Sequence, residues 1–192
     1  MQTDSNRKPK GYRVKSRTID VIRDRVNKLR ELFGIDNPYV NIVKILDSLA
    51  AYGIIELFVV DDYSPLLRRD ELGKTKPITK DGSLIPLIII RESVYNGAVE
   101  QNGFHRFTIA HEIGHALMHT REMGFSRSTD HRLNDEWFRD SEWQANTFAG
   151  ELLAYYKFIT SKDTTKTLCE RFHISSQSAL LRLRSLKKRK EI

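Results

Sequence analysis

Residues 111–115 read His-Glu-Ile-Gly-His, and no other string in the chain restricts its fold and chemistry as much. On an α-helix, positions i and i+4 lie about 6 Å apart along the axis and roughly 40° apart around it. His111 and His115 therefore aim two imidazoles at one point, as a tetrahedral Zn²⁺ requires of two of its ligands. Glu112 occupies the adjoining face. From there a carboxylate reaches a water polarised by the cation without being a ligand, the position of a general base. The flanks favour a helix over about 104–120, with Ile109, Ile113, Ala116 and Leu117 on a buried side. The alternative is a core helix whose histidines are satisfied by hydrogen bonds.

A zinc site that keeps one position open needs a third protein ligand. The longer pattern with Gly at 118 and His at 121 is excluded, because Met118 and Arg121 stand there. The single cysteine, Cys169, is remote in sequence. A carboxylate from a second helix is the remaining common solution. Glu142 is the best candidate. It opens a segment of helical character in which Ala145, Phe148, Ala149 and Leu152 share a side, and in which Ala145, Ala149 and Gly150 permit close approach. Asp135, Glu136, Asp140 and Glu151 compete for the role. Asn146 lies one turn beyond Glu142, where its amide oxygen can accept from the free N–H of a ligand imidazole. His119 lies one turn beyond His115. It either supports that ring or is a hydrogen-bonded surface histidine, the commoner fate.

The string Arg106-Phe-Thr-Ile-Ala-His-Glu-Ile-Gly-His-Ala-Leu-Met-His, followed by Glu142-x-x-Ala-Asn-x-Phe-Ala-x-Glu-Leu-Leu, resembles the ImmA/IrrE family of zinc metallopeptidases. The resemblance spans roughly residues 39–155. It implies that His111, His115 and Glu142 bind zinc and that Glu112 is catalytic. It also implies an intracellular endopeptidase whose substrate is a helix-turn-helix transcriptional repressor, cleaved to release phage, mobile-element or stress-response genes. One departure is that the chain continues Leu152-Leu153-Ala154-Tyr155 where the family often has Leu-Leu-Met-Pro.

Length and charge set further bounds. A chain of 192 residues with 40% hydrophobic residues suits one domain with a small appendage. The longest apolar run, Leu84 to Ile90, has seven residues with Pro86 inside it, far short of a membrane span. The polar, basic N-terminus does not read as a secretory signal, and one cysteine fits a reducing compartment. The expected location is cytoplasmic, with no membrane partner. The net charge of +7 resides at the two ends: residues 1–17 and 180–192 each carry six basic side chains against one acid. Such ends can neutralise phosphates, but they are more often solubilising.

The expected fold is α+β: a mostly helical zincin-like domain over 18–160 with a small β-sheet beside the metal helix. A basic flexible tail, 1–17, precedes it, and a helix-turn-helix-like hairpin with a basic tail, 161–192, follows. Helical spacing marks Thr18–Phe33, and Pro38 opens a second helix to about Tyr52. Branched residues mark a strand at 54–60. Residues 61–83 read as loop or hairpin. Leu84–Arg91 reads as a strand whose edge can hold an extended substrate. Residues 92–103 read as a connector, from Asn96-Gly97 and Asn102-Gly103. A loop over 121–134 precedes a ligand helix from Asp140 to Leu153. At the C-terminus, Ser175 caps the second helix of the hairpin, and Arg182 and Arg184 with Lys187–Lys190 are candidates to face DNA. Sequence does not single out the donor that steadies a developing oxyanion among His131, Tyr155, Tyr156 and Arg106. The competing function is a DNA- or partner-binding regulator with structural or vestigial zinc. An intact Glu112 argues against it, since a structural site gains nothing from a base beside its metal.

Overall fold

α4, Gly103–Met123, has no exposed residue between Arg106 and Thr120, and the rest of the molecule is arranged around it. The computed structural model describes residues 11–123 and 137–192. Among these, seven α-helices accompany one three-stranded sheet, so the fold is α+β as expected. Ile109, Ala110, Ile113, Ala116 and Met118 of α4 are all buried. A helix with no solvent face of its own belongs at the centre of a domain.

α1, Ile19–Leu32, starts where the Thr18 side chain accepts from the Val21 N–H, and it buries Ile22, Val26 and Leu29. α2 spans Ile42–Ala51, four residues later than Pro38 suggests. The Asn41 side chain accepts from the Lys44 N–H and sets that boundary. β1 is Glu56–Val60, β2 is Gly73–Lys80 and β3 is Ser83–Arg91. The sheet order is β1-β3-β2, with β3 parallel to β1 and antiparallel to β2. β2 and β3 form a hairpin through Asp81-Gly82, both at positive φ, the two-residue turn that matches strand twist.

β3 is the central strand, so its backbone offers no free edge; the edge beside α4 is that of β2. The unbroken apolar run of β3 has a simple cause. Ile88 and Ile90 face the helices, whereas Leu87 and Ile89 pack with Leu67 of the 61–72 loop on the other side. A strand covered on both faces does not alternate.

Residues 92–103, expected as a connector, contain α3, Glu92–Val99. Gly97 is not a turn residue here. The His105 ring lies against its Cα, where a Cβ would come within 1.9 Å of Nδ1. α5, Ser141–Leu153, matches the expected ligand helix, with Asp140 as its N-cap. α6, Thr165–Phe172, and α7, Ser176–Lys188, form the C-terminal hairpin, with Ser175 capping α7 as read from sequence. Leu168, Phe172, Leu183 and Leu186 of that hairpin join the same hydrophobic cluster as α1, α4 and α5.

Two further expectations change. Residues 11–17 are not a loose tail: Val14 and Arg17 are buried, and the Val14 and Arg17 N–H groups donate to the Arg139 and Phe138 carbonyls. Residues 1–10 of the tail and most of the 121–134 loop lie outside the described residues, as do His131, Asp135 and Glu136. Arg182 does not face solvent either. It makes two hydrogen bonds to Glu151, at 2.7 and 2.6 Å, and donates to the Ala154 carbonyl. Arg184 is exposed. Glu151 is fully buried, with Arg23 at 3.1 Å and Arg189 at 3.5 Å completing its surroundings, so this cluster ties α7 and α1 to α5. Removing one partner of a buried ion pair strands the other charge. We expect Glu151→Ala to lower the unfolding free energy by about 3–5 kcal/mol, read by urea denaturation. A loss below about 1 kcal/mol, the worth of an exposed pair, would show that the cluster is not structural.

Candidate metal centre

α4 and α5 pack closely where Gly114 meets Phe148. A Cβ on Gly114 would lie 3.0 Å from Phe148 Cδ1, tighter than an easy contact. Gly150, expected to serve this approach, has open space beside it. The contact brings Glu142, in the first turn of α5, over His111 and His115 on α4. His111 Nε2 lies 3.3 Å from Glu142 Oε2, His115 Nε2 lies 3.2 Å from Glu142 Oε1, and the two Nε2 atoms are 3.0 Å apart.

These separations test the fit of a cation. Ligand atoms at about 2.0–2.1 Å from a tetrahedral zinc lie about 3.3 Å from one another. The observed distances agree. The donor set, two imidazoles and a carboxylate, is that of a site with one open position, and Cys169 is elsewhere, near Ser176 in the hairpin. The two competitors among the described residues are occupied: Asp140 accepts from the Glu142 N–H as N-cap, and Glu151 is in its arginine cluster.

The outward ring nitrogens are held by acceptors. His111 Nδ1 lies 3.1 Å from Asn146 Oδ1, the arrangement anticipated for that asparagine. His115 Nδ1 lies 3.0 Å from His119 Nδ1, and His119 Nε2 lies 2.9 Å from Gln144 Oε1. His119 is fully buried, not a surface histidine. Burial, reinforced by nearby His115 and Arg17, pushes its imidazolium down to about 3 even though Gln144 accepts from it; the ring is neutral. With both ligand rings donating through Nδ1, both Nε2 lone pairs face the Glu142 carboxylate. Such a convergence of lone pairs repels unless a cation or a proton sits among them.

The electrostatics carry the same signature. Burial opposes a proton on His111, yet Glu142, Glu112 and Asn146 together outweigh it and hold the ring above its ordinary value of 6.5. Burial would raise the Glu142 carboxyl, but the two histidines hold it well below the usual carboxylate range. Each group prefers the charged form because the other is present.

Glu112 is buried beside the cluster. The Thr75 hydroxyl on β2 lies 2.7 Å from Glu112 Oε2 and 3.1 Å from its backbone carbonyl. Thr75 carried no signal in the sequence, because a single threonine in a segment read as loop or hairpin is chemically silent until the strand is placed. Gln144 and Arg17 were missed for the same reason. Of the four candidates for an oxyanion donor, His131 lies outside the described residues and the other three have contacts elsewhere. Tyr155 donates to Asn27, Tyr156 lies under the Arg23 guanidinium, and Arg106 is buried on the Val40 and His173 carbonyls.

A two-histidine helix packed against a carboxylate-bearing helix, with an edge strand alongside, is the framework of a metallopeptidase. Residues 98–184 match the family model Peptidase_M78, described as the IrrE N-terminal-like domain. That stretch, from the end of α3 into α7, is thus similar to the IrrE N-terminal-like domain, consistent with the resemblance to the ImmA/IrrE family. The match supports a metallopeptidase role acting on protein. No curated protein and no solved structure matches the chain. Among the described residues, no helix is long and apolar enough to cross a membrane.

A proton on His111 competes with a metal for Nε2. Since its pKa is raised, we expect zinc affinity to begin falling above pH 6.5 and to continue falling as pH decreases, by chelator competition. Affinity independent of pH across that range would place the metal on other groups. Glu142→Ala is expected to cost at least about 10-fold in zinc affinity with an unchanged circular dichroism spectrum.

Proposed function

We propose that the protein is a zinc-dependent endopeptidase that cleaves a helix-turn-helix transcriptional repressor and thereby derepresses phage, mobile-element or stress-response genes. His111, His115 and Glu142 hold the zinc, and Glu112 is the general base. The convergence of three lone-pair donors beside a buried fourth group of general-base type carries this reading. The family match, the edge strand and the engagement of Arg182 inside the protein support it over a DNA-binding role.

When bound, zinc supplies the Lewis acidity that polarises the scissile carbonyl and acidifies a water. The remaining work belongs to this chain. Glu112 takes the proton of the attacking water and returns it to the leaving amine. Thr75 donates to Glu112 Oε2 and fixes the carboxylate plane. Oε1 has no hydrogen-bond partner among the described residues and is the oxygen that accepts the proton. A bond to a charged acceptor is worth about 1.5–3 kcal/mol, enough to decide the orientation of a side chain. The outer edge of β2, which carries Thr75 and pairs with no other strand among the described residues, offers backbone donors and acceptors to an extended peptide running past Glu112. Asn146 fixes the ring of His111 by accepting from Nδ1–H.

The test is to incubate zinc-loaded protein with candidate helix-turn-helix repressors from the same genome and to read products by mass spectrometry. We expect one discrete cleavage from the wild type, and none from Glu112→Gln with zinc stoichiometry retained. Cleavage by Glu112→Gln at the wild-type rate would remove Glu112 as the base. An intact repressor, with DNA binding that persists in zinc-stripped protein, would favour a regulator over an enzyme.

A further inference from the structure

A continuous buried chain of hydrogen bonds runs from the N-terminal segment to the metal cluster. Arg17 NH1 donates to Gln144 Oε1 at 2.9 Å. Arg17 NH2 donates to the Met118 carbonyl at 2.9 Å and to Glu122 Oε1 at 2.6 Å. Gln144 Nε2 donates to the Lys15 and Phe138 carbonyls at 2.8 and 2.7 Å. Two carbonyl acceptors on one side and a guanidinium on the other leave the amide a single orientation. Its Oε1 is an acceptor, so the nitrogen that faces it, His119 Nε2, carries a hydrogen.

The consequence passes along the rings. A neutral imidazole has one N–H, so His119 Nδ1 is bare and accepts. The hydrogen shared with His115 then belongs to His115 Nδ1. His115 Nε2 is bare in turn and faces His111 Nε2 and Glu142. Reversing the amide of Gln144 would reverse each step and put a hydrogen on His115 Nε2, where a metal must bind.

We propose that Arg17, Gln144 and His119 are positioning residues that fix His115 in its metal-binding tautomer, which makes the segment Gly11–Arg17 a working part of the metal centre. This rests on the reading of His111, His115 and Glu142 as a metal site. The segment lies outside the stretch that matches the family model. It reaches the second ligand helix as well. The Tyr12 N–H donates to Ser141 Oγ at 3.0 Å, the Gly11 N–H donates to the Asp140 carboxylate at 3.1 Å, and the Ser141 N–H donates to the Tyr12 carbonyl. These bonds hold the first turn of α5, which carries Glu142. One short piece of chain therefore sets both the tautomer of one ligand and the seating of another.

The experiment has two arms. Long-range proton–nitrogen-15 spectra of zinc-free wild type, recorded where histidines are neutral, read the tautomers directly. We expect Nε2–H on His119 and Nδ1–H on His115; Nε2–H on His115 would overturn the relay. Zinc titrations against a competing chelator form the second arm. Gln144→Leu and His119→Leu are expected to weaken zinc binding about 10–100-fold, and Arg17→Met about 10-fold, as loss of an outer hydrogen-bond partner does. His119→Gln is expected to recover most of the affinity, because its amide can accept from His115 and donate to Gln144. Folded variants that all bind zinc as tightly as wild type would overturn the proposal. If a variant does not fold, the wild-type tautomers still decide. Wild-type protein that takes up no zinc would instead defeat the metal-site reading, while the spectra would still report on the relay.

Discussion

The seating of α5 on α4 is the contact on which the rest depends. Gly114 removes a side chain from the middle of the metal-binding motif, and Phe148 fills the space. That close approach carries Glu142 to within 3.3 Å of both ligand imidazoles. A larger residue at 114 would push α5 away, and every distance in the cluster would grow with it. Core packing and site geometry are here a single constraint. The buried Phe148, Ala149 and Leu152 that anchor α5 are also what fix the carboxylate.

Around that contact the protein has spent buried polar groups with care. Gln144, His119, Arg17 and Glu112 are all nearly inaccessible, and unsatisfied groups at such depth cost about 1–3 kcal/mol each. Each one has a partner, and those of Gln144, His119 and Arg17 lead outward to backbone carbonyls or to an ion pair. A network satisfied to this degree rigidifies what it surrounds. Rigidity suits a metal centre, because donors held at ligand spacing do not pay ordering entropy when the ion arrives. The sheet contributes in the same way: β2 lies at the edge of the sheet, yet its Thr75 is buried on Glu112, so under the proposed function the strand placed to receive a substrate also holds the base.

The sequence made the first half of this site plain. A one-turn motif such as His111–His115 needs only helical geometry to be read, and Glu142 with Asn146 needed one further helix. The cap at Ser175 was legible because capping is local chemistry. What escaped was long-range. Thr75, Gln144 and Arg17 acquire their roles from residues 37, 25 and 127 positions away, respectively, and no periodicity marks such pairings. Arg182 looked like a surface charge because its acid, Glu151, lies 31 residues earlier. Gly97 looked like a turn because a glycine needed for close packing carries the same letter as one needed for positive φ. His119 looked exposed because α4, covered on every side, has no polar face to give its register away. Residues 11–17 looked loose for a related reason: their charges read as solvation, whereas Arg17 is neutralised internally by Glu122.

The central claim is that two imidazoles and one carboxylate from neighbouring helices hold one cation and leave a position open. Zinc K-edge X-ray absorption of the fully zinc-loaded protein tests it most directly. The expected spectrum shows only nitrogen and oxygen scatterers at about 2.0–2.1 Å, with the multiple scattering of two imidazoles and a light-atom fourth ligand from solvent. A sulfur shell at about 2.3 Å, or the scattering of fewer than two imidazoles, would contradict it.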